Sequence, residues 1–141
     1  MNSLKIMLNH LYRMQRKIED INDNIKTLQT LLYPKTQIIS DMPKGGQQPN
    51  NDAEIYVEKM EHWKAERNRI DKKILDLKMD IETELENINA TVDEITLVDC
   101  RYNRGMTWKE TAAAIGWTLG KCYATYNKMI KRSVQKNQKI Y

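Results

Sequence analysis

Apolar residues recur at steps of three and four near the start of the chain, with polar and charged residues between them. Nine positions in a seven-residue repeat are all apolar: Leu4, Met7, Leu11, Met14, Ile18, Ile21, Ile25, Leu28 and Leu32. So narrow a stripe is typical of a coiled-coil seam, because a helix buried in a large core shows a wider apolar face. The pattern predicts a helix over about residues 3–32 that needs a partner helix.

The same period returns over about residues 53–89, which predicts that partner helix. Its apolar positions are Tyr56, Met60, Trp63, Ile70, Ile74, Leu77, Ile81 and Ile88, and Arg67 and Glu84 interrupt the pattern. All three prolines and a Gly-Gly pair lie within residues 33–52, a composition that stops helices and favours a flexible linker. We therefore predict a long antiparallel helical hairpin, and its remaining apolar surface favours pairing into a homodimer.

Helix-start signals mark the C-terminal third of the chain. Thr91 with Glu94, and Thr107 with Glu110, have the capping-box form, in which hydroxyl and carboxylate each bind a free backbone N–H. One short helix is therefore expected after Thr91 and a second from Trp108. The first helix is expected to turn these side chains inward: Val92, Ile95, Val98 and Tyr102.

Two glycines and a threonine mark the remaining boundaries. Gly105 and Gly116 stand where the first two short helices should end, because glycine readily takes the left-handed conformation. Thr118 is a good N-cap for a third helix running to about Val134. Three short helices joined in this way predict a helix-turn-helix unit. The expected fold is all-α, with a helical hairpin over residues 1–90 and a helix-turn-helix domain over residues 91–141.

The third helix divides into two faces at helical spacing. Its expected inward face consists of Cys122, Tyr126, Met129, Ile130 and Ser133. Its outward face supplies the predicted base-facing residues: Thr118, Leu119, Gly120, Lys121, Tyr123, Ala124 and Asn127. Such residues can stack, donate hydrogen bonds to base edges or touch a thymine methyl group, and none of them is acidic.

Charge separates the two parts of the chain. Residues 100–141 hold nine Lys or Arg against one acid, a net charge of +8, whereas residues 1–99 hold 14 basic and 18 acidic residues, a net of −4. Basic charge gathered on a helix-turn-helix is the electrostatic footprint of phosphate binding. The predicted phosphate contacts are Arg101, Arg104, Lys109, Lys128, Lys131 and Arg132. Six contacts would give log K a slope of about −5 against log salt.

Candidate chemistry of other kinds is sparse. The chain has two cysteines, Cys100 and Cys122, and neither His10 nor His62 has a second Cys or His at metal-ligand spacing. No phosphate-binding loop and no nucleophile in a strained turn is present in the sequence. We expect no enzyme activity, no metal and no cofactor. The N-terminus has no continuous apolar segment, which predicts no secretory signal, no membrane association and a cytoplasmic location.

The segment from Gly105 to Thr118, GMTWKETAAAIGWT, resembles the C-terminal helix-turn-helix of bacterial sigma factors. With a long helical part before it, the chain is similar to phage-encoded late-transcription regulators of the RinA and ArpU type. Thr111 stands where those proteins usually have isoleucine, and Cys122 where they often have valine. The matching residues are Thr107, Glu110, Ala112, Ile115, Gly116, Trp117 and Thr118. The resemblance implies a phage or prophage protein in the bacterial cytoplasm that binds DNA before late genes and recruits host RNA polymerase.

The leading hypothesis is a dimeric, sequence-specific transcriptional regulator that binds double-stranded DNA. Two other functions remain possible. A phage small terminase subunit also combines a helix-turn-helix with helical oligomerisation, but it would form a ring of many subunits. A coiled-coil adaptor that binds only protein would not retain DNA at low salt. The acidic positions also have two interpretations, a solvated helix face or a contact for a basic patch on a partner such as RNA polymerase. These positions are Asp80, Glu82, Glu84 and Glu86.

Overall fold

The computed structural model of the protein describes residues 3–33 and 51–138, and in those ranges every regular element is a helix. The helices are α1 Leu4–Leu32, α2 Asn51–Asn87, α3 Val92–Val98, α4 Trp108–Ile115 and α5 Leu119–Gln138, with a π-helical turn, Asp99–Asn103, directly after α3. An all-α fold is therefore confirmed for the described residues. The predicted linker falls mainly on residues 34–50, which lie outside them.

The chain divides into two compact units. The first unit comprises Met1–Arg16 with Lys72–Tyr141, and the second comprises Lys17–Asp71. The division therefore cuts both long helices, whereas composition and charge had suggested a boundary near residue 90. The physical reason is that the first turns of α1 and the last turns of α2 share a core with the short helices.

The main core of the first unit joins three parts of the chain. Its buried residues are Leu4, Met7, Leu8, Leu11, Ile81, Leu85, Ile88, Val98, Tyr102 and Met129. Most of those from α1 and α2 are positions of the predicted apolar repeat, and that repeat is confirmed there. Leu8 and Leu85 lie outside the repeat and are buried as well, because the helix ends contact more than one neighbour.

The second unit is built from the remaining parts of α1 and α2. Among its described residues, the buried side chains are all positions of the predicted repeat: Ile21, Ile25, Leu28, Met60 and Ile70. Arg67, which interrupts the repeat, donates from Nη1 to Oδ1 of Asn22 at 3.0 Å. The polar interruption on α2 is thus matched by a polar residue on α1.

Both predicted capping boxes are present. The Glu94 N–H donates to Thr91 Oγ1 at 3.1 Å, and the Thr91 N–H donates to Glu94 Oε1 at 3.0 Å. Thr107 and Glu110 make the same pair of bonds, at 3.1 and 2.9 Å. Each pair satisfies backbone donors that a helix start leaves free, which explains why α3 and α4 begin where they do.

α3 turns a different face inward from the one predicted. Val92 and Ile95 are 79% and 50% exposed, so the expectation that they face the core is wrong, whereas Glu94 and Leu97 are buried. Val98 and Tyr102 are buried as expected. The inward row includes a carboxylate because the Glu94 side chain has an ion-pair partner in the fold, described below.

The π-helical turn widens the backbone after α3. The Arg104 N–H donates to the carbonyl oxygen of Asp99 at 2.9 Å, a spacing of five residues, and the carbonyl oxygen of Asn103 accepts from Gln15 Nε2 at 2.8 Å. Gly105 follows at φ 69°, and a β-carbon there would lie 3.3 Å from Gln15 Oε1. Glycine is therefore favoured both by its backbone angle and by the neighbouring side chain.

Candidate nucleic-acid interface

α4 and α5 meet across a tight turn. Gly116 ends α4 in the left-handed conformation at φ 82°, and its N–H donates to the carbonyl oxygen of Ala112 at 2.9 Å. Thr118 Oγ1 then accepts from the Lys121 N–H at 3.1 Å, which confirms the predicted N-cap of α5. Behind the turn, Ala112 and Cys122 are buried with Leu97. Small side chains thus allow the two helices to approach closely.

The inward face of α5 is the predicted one. Cys122, Met129 and Ser133 are buried, and Tyr126 and Ile130 pack against the core of the first unit. Ser133, the polar member of this face, donates from Oγ to Oε2 of Glu84 at 2.6 Å. The polar residues that interrupt the apolar patterns of α2 and α5 are therefore hydrogen-bonded to each other.

The seven predicted base-facing residues are all exposed. These are Thr118, Leu119, Gly120, Lys121, Tyr123, Ala124 and Asn127. No acidic residue occurs in α5, which carries four lysines and one arginine. The exposed face of α5 therefore combines neutral hydrogen-bonding groups, an aromatic ring and positive charge.

Two tryptophans hold side chains of this face in place. The ring of Tyr123 lies 5.1 Å from the ring of Trp108, at an interplanar angle of 65°. Lys121 Nζ lies 4.3 Å from the ring centroid of Trp117, within the range of a cation–π contact. Sequence reasoning gave neither tryptophan a role in positioning Tyr123 or Lys121. The only available signal was their location at the ends of the α4 segment, next to predicted helix boundaries.

Arg101, a predicted phosphate contact, lies against aromatic rings. Its guanidinium carbon is 4.0 Å from the ring centroid of Tyr12, 4.8 Å from that of Trp108 and 5.4 Å from that of Tyr102. Its Nη1 donates to the carbonyl oxygen of Met106 at 2.7 Å. This guanidinium is therefore used within the first unit, where it links α1 to the start of α4.

Arg132, a second predicted phosphate contact, also has partners inside the unit. Its Nη1 donates to Glu94 Oε2 at 2.9 Å, its Nη2 contacts Glu94 Oε1, and its Nε donates to the carbonyl oxygen of Ile88 at 3.1 Å. Burial alone would raise the pKa of Glu94, but the Arg132 guanidinium and the Thr91 N–H outweigh it and hold that pKa below its usual range. The pair joins α3 to α5.

Four predicted phosphate contacts stay at the surface. Arg104 Nε lies 3.1 Å from Asp99 Oδ2, but both side chains are largely exposed, so this ion pair is weak and exchangeable. Lys109, Lys128 and Lys131 are exposed and have no ion-pair partner among the described residues. The three lysines can therefore bind an anion directly, and Arg104 can do so at little cost by exchanging its contact with Asp99.

Among the residues that the structure describes, no group of three or more His, Cys, Asp or Glu is placed to hold a metal ion. Both cysteines are buried, and burial raises the pKa of the Cys122 thiol. A raised pKa lowers the thiolate fraction and hence the reactivity of a cysteine. None of the described helices is both long and apolar enough to span a membrane.

Comparisons of this chain with protein-family models, with curated proteins and with solved structures found no match. Support for a function therefore comes from the chain's own residues, above all from the exposed face of α5 and the cations near it in sequence.

Proposed function

We propose that this protein binds double-stranded DNA in a sequence-specific manner and regulates transcription, with α4 and α5 as a helix-turn-helix and α5 as its recognition helix. The observation that carries the proposal is the exposed face of α5. Seven residues with base-reading chemistry are exposed there, on a helix without acidic residues. The left-handed turn at Gly116 and the capped start of α5 are what a helix-turn-helix requires.

The proposed phosphate contacts are Arg104, Lys109, Lys128 and Lys131. Arg101 and Arg132 leave the set, because their guanidinium groups already bind partners within the unit. Four contacts give log K a slope of about −3.6 against log salt, compared with about −5 for six. The salt dependence of DNA binding thus distinguishes the two sets.

The long helices are proposed to form an antiparallel hairpin that pairs two copies of the chain. In the first unit, Leu4 at the start of α1 shares a core with Ile88, which directly follows α2. In the second unit, Arg67 of α2 bonds to Asn22 of α1. Tyr56 and Trp63, which are partly exposed on α2 outside the first unit, supply apolar surface for a second copy. A dimer would place two recognition helices on half-sites about one helical turn of DNA apart.

The resemblance of GMTWKETAAAIGWT to the sigma-factor helix-turn-helix supports a proposal about the biological role of the protein. We infer a phage or prophage regulator of late genes that acts with host RNA polymerase in the bacterial cytoplasm. The outcome that would favour the small terminase subunit is a ring of eight or more subunits by light scattering, whereas two subunits support the regulator.

The test is selection of bound sites from a pool of random duplex DNA, followed by fluorescence anisotropy on the selected site at several salt concentrations. A symmetric motif and a slope of about −3.6 are expected. Lys128→Ala should weaken all sequences alike and reduce the slope by about one, whereas Lys72→Ala, an exposed lysine on α2, should change neither. A slope near zero would overturn DNA binding and favour an adaptor that binds only protein.

A further inference from the structure

A groove of about 850 Å³ lies on the first unit, between the end of α2 and the α3 region. Its floor includes Ile81, Leu85 and Val98, which belong to the main core of that unit. None of the residues proposed to contact DNA lines it. The groove is therefore a second surface feature of the same unit, built from different residues.

The walls of the groove are apolar and exposed. Leu75 and Met79 on α2 are 60% and 59% exposed, and Ile95 on α3 is 50% exposed. Leu75 and Met79 are one helical turn apart and so lie on the same side of α2. Clustered exposed apolar side chains that border a groove are typical of protein-binding surfaces, and an amphipathic helix is a common occupant.

The rim of the groove is acidic. Glu82 and Glu86 are exposed, one turn apart, and neither has an ion-pair partner among the described residues. Among the described residues that line the groove, Lys78 is the one basic residue. The carboxylate of Asp99, which also lines it, forms an ion pair with Arg104. Unpaired negative charge beside an apolar strip favours an occupant with basic residues flanking its own apolar side chains.

The same charges argue against a second copy of this chain as the occupant. In a symmetric dimer the same surface patch is used by both copies. A dimer formed through the groove would bring two acidic rims together, and like charges across an interface are unfavourable. The exposed carboxylates therefore favour a different, basic partner.

We propose that this groove binds an amphipathic helix of another protein, whose apolar stripe is flanked by Lys or Arg. Apolar side chains at positions i, i+4 and i+7 of that helix would cover the floor, and the basic flank would meet Glu82 and Glu86. This proposal goes beyond DNA binding and does not depend on it, because no residue proposed to contact DNA lines the groove. The exposed ion pair between Arg104 and Asp99 is the described contact that joins the two surfaces. If both proposals hold, DNA-bound protein carries a docking site for a second protein.

The test is selection of helical peptides from a displayed random library on the full-length chain. Peptides with apolar residues at i, i+4 and i+7 beside Lys or Arg should be enriched. The double variant Met79→Lys/Ile95→Lys should raise their Kd about tenfold or more, as expected for loss of interface anchors. Ile6→Lys is the control, because Ile6 is also 59% exposed but lies on α1 outside the groove. Circular dichroism of each variant checks that it is folded.

A second pair of variants tests the charge of the rim with one synthetic peptide from the enriched set. Glu82→Gln/Glu86→Gln should raise its Kd several-fold at low salt. Asp76→Asn/Asp80→Asn removes the same charge from exposed positions on the same helix outside the groove and should leave Kd unchanged. Equal effects of the two pairs, enrichment of acidic peptides, or no enrichment that depends on the groove would each overturn the proposal.

A second copy as the occupant is tested separately. After mild oxidation, Met79→Cys should form no disulfide-linked dimer in denaturing, non-reducing electrophoresis. The control is the wild-type chain, whose two cysteines are buried. Efficient disulfide-linked dimers through residue 79 would assign the groove to self-association and overturn the proposal. DNA affinity of the groove variants should equal that of the wild type, so failure of one proposal is distinguishable from failure of the other.

Discussion

The exposed face of α5 and the groove beside α2 are two surfaces of one unit with opposite chemistry. On α5, polar and basic side chains are exposed, and Trp108 and Trp117 hold Tyr123 and Lys121 from the side. In the groove, apolar walls stand above core residues, and the rim carries the exposed carboxylates of Glu82 and Glu86. A net charge of +4 for the chain therefore hides two segregated surfaces, each suited to a different kind of partner.

The largest expected effect tests whether Arg132 belongs to the fold or to the basic surface. Arg132→Ala should lower the free energy of unfolding by about 3 kcal/mol, because Glu94 would be left buried without its partner. Urea denaturation measures this loss. Arg104→Ala removes an exposed ion pair and should cost less than about 1 kcal/mol.

A double-mutant cycle sharpens the assignment of Arg132. Glu94→Gln keeps an oxygen for the capping box but removes the buried charge, so it should recover part of the stability lost in Arg132→Ala. If Arg132→Ala left the unfolding free energy unchanged, Arg132 would return to the proposed phosphate contacts.

The next expected effect separates the two surfaces directly. Asn127→Ala should weaken binding of the selected DNA site about tenfold and relax one base position, because an exposed amide on α5 can pair with a base edge. It should leave peptide binding in the groove unchanged, while Met79→Lys should do the reverse. Anisotropy with labelled DNA and labelled peptide measures both. A variant that altered both affinities equally would show that the surfaces are not independent.

The buried carboxylate of Glu94 also predicts a pH dependence of stability. The pKa of Glu94 is lowered in the folded protein, so its stabilising effect is complete above its unfolded pKa of about 4.3 and is lost as pH falls through the folded value. The unfolding midpoint should therefore fall with acidification more steeply in the wild type than in Glu94→Gln. Thermal unfolding followed by circular dichroism between neutral and acid pH measures this, and parallel curves would contradict it.

The smallest expected effect concerns a buried hydroxyl group on α4. Thr111 is buried, and its hydroxyl oxygen has no hydrogen-bond partner among the described residues. Thr111→Val keeps the shape and removes the hydroxyl, so it should raise the free energy of unfolding by about 1 kcal/mol. Thr96→Val is the control, because Thr96 Oγ1 already donates to the carbonyl oxygen of Val92 and its loss should not stabilise. Urea denaturation compares the two variants.

Local chemistry predicted the helices well. The two capping boxes, the left-handed Gly105 and Gly116, and the N-cap Thr118 are all where the sequence placed them, because each depends on residues within a few positions of one another. The apolar repeats also identified most of the buried positions of α1, since helical periodicity follows from the backbone alone, whereas half of the positions predicted on α2 are only partly buried.

Contacts between distant residues could not be predicted in this way. From the sequence alone, Glu94 would be expected at the surface. In the fold it is buried, because Arg132, 38 residues away, forms an ion pair with it. Arg101 was predicted to contact phosphate, but in the fold its guanidinium lies against the rings of Tyr12 and Trp108. A hydrophobic pattern classifies each residue by its own polarity alone. Whether a charged residue can be buried depends instead on which partner the fold places beside it. The groove was missed for the same reason, because its walls come from separate helices.

The π-helical turn after α3 fixes how the chain leaves that helix. In an α-helix each added residue rotates the following side chains by about 100°. The wider turn accommodates an extra residue in the backbone ring, and Gln15 occupies the carbonyl of Asn103 at its end. Deleting one residue there would rotate the position of Asn103 by about 100° and so disrupt its hydrogen bond with Gln15. Two of its five residues, Asp99 and Asn103, also line the groove, so this turn shapes that surface as well as the path of the chain toward α4.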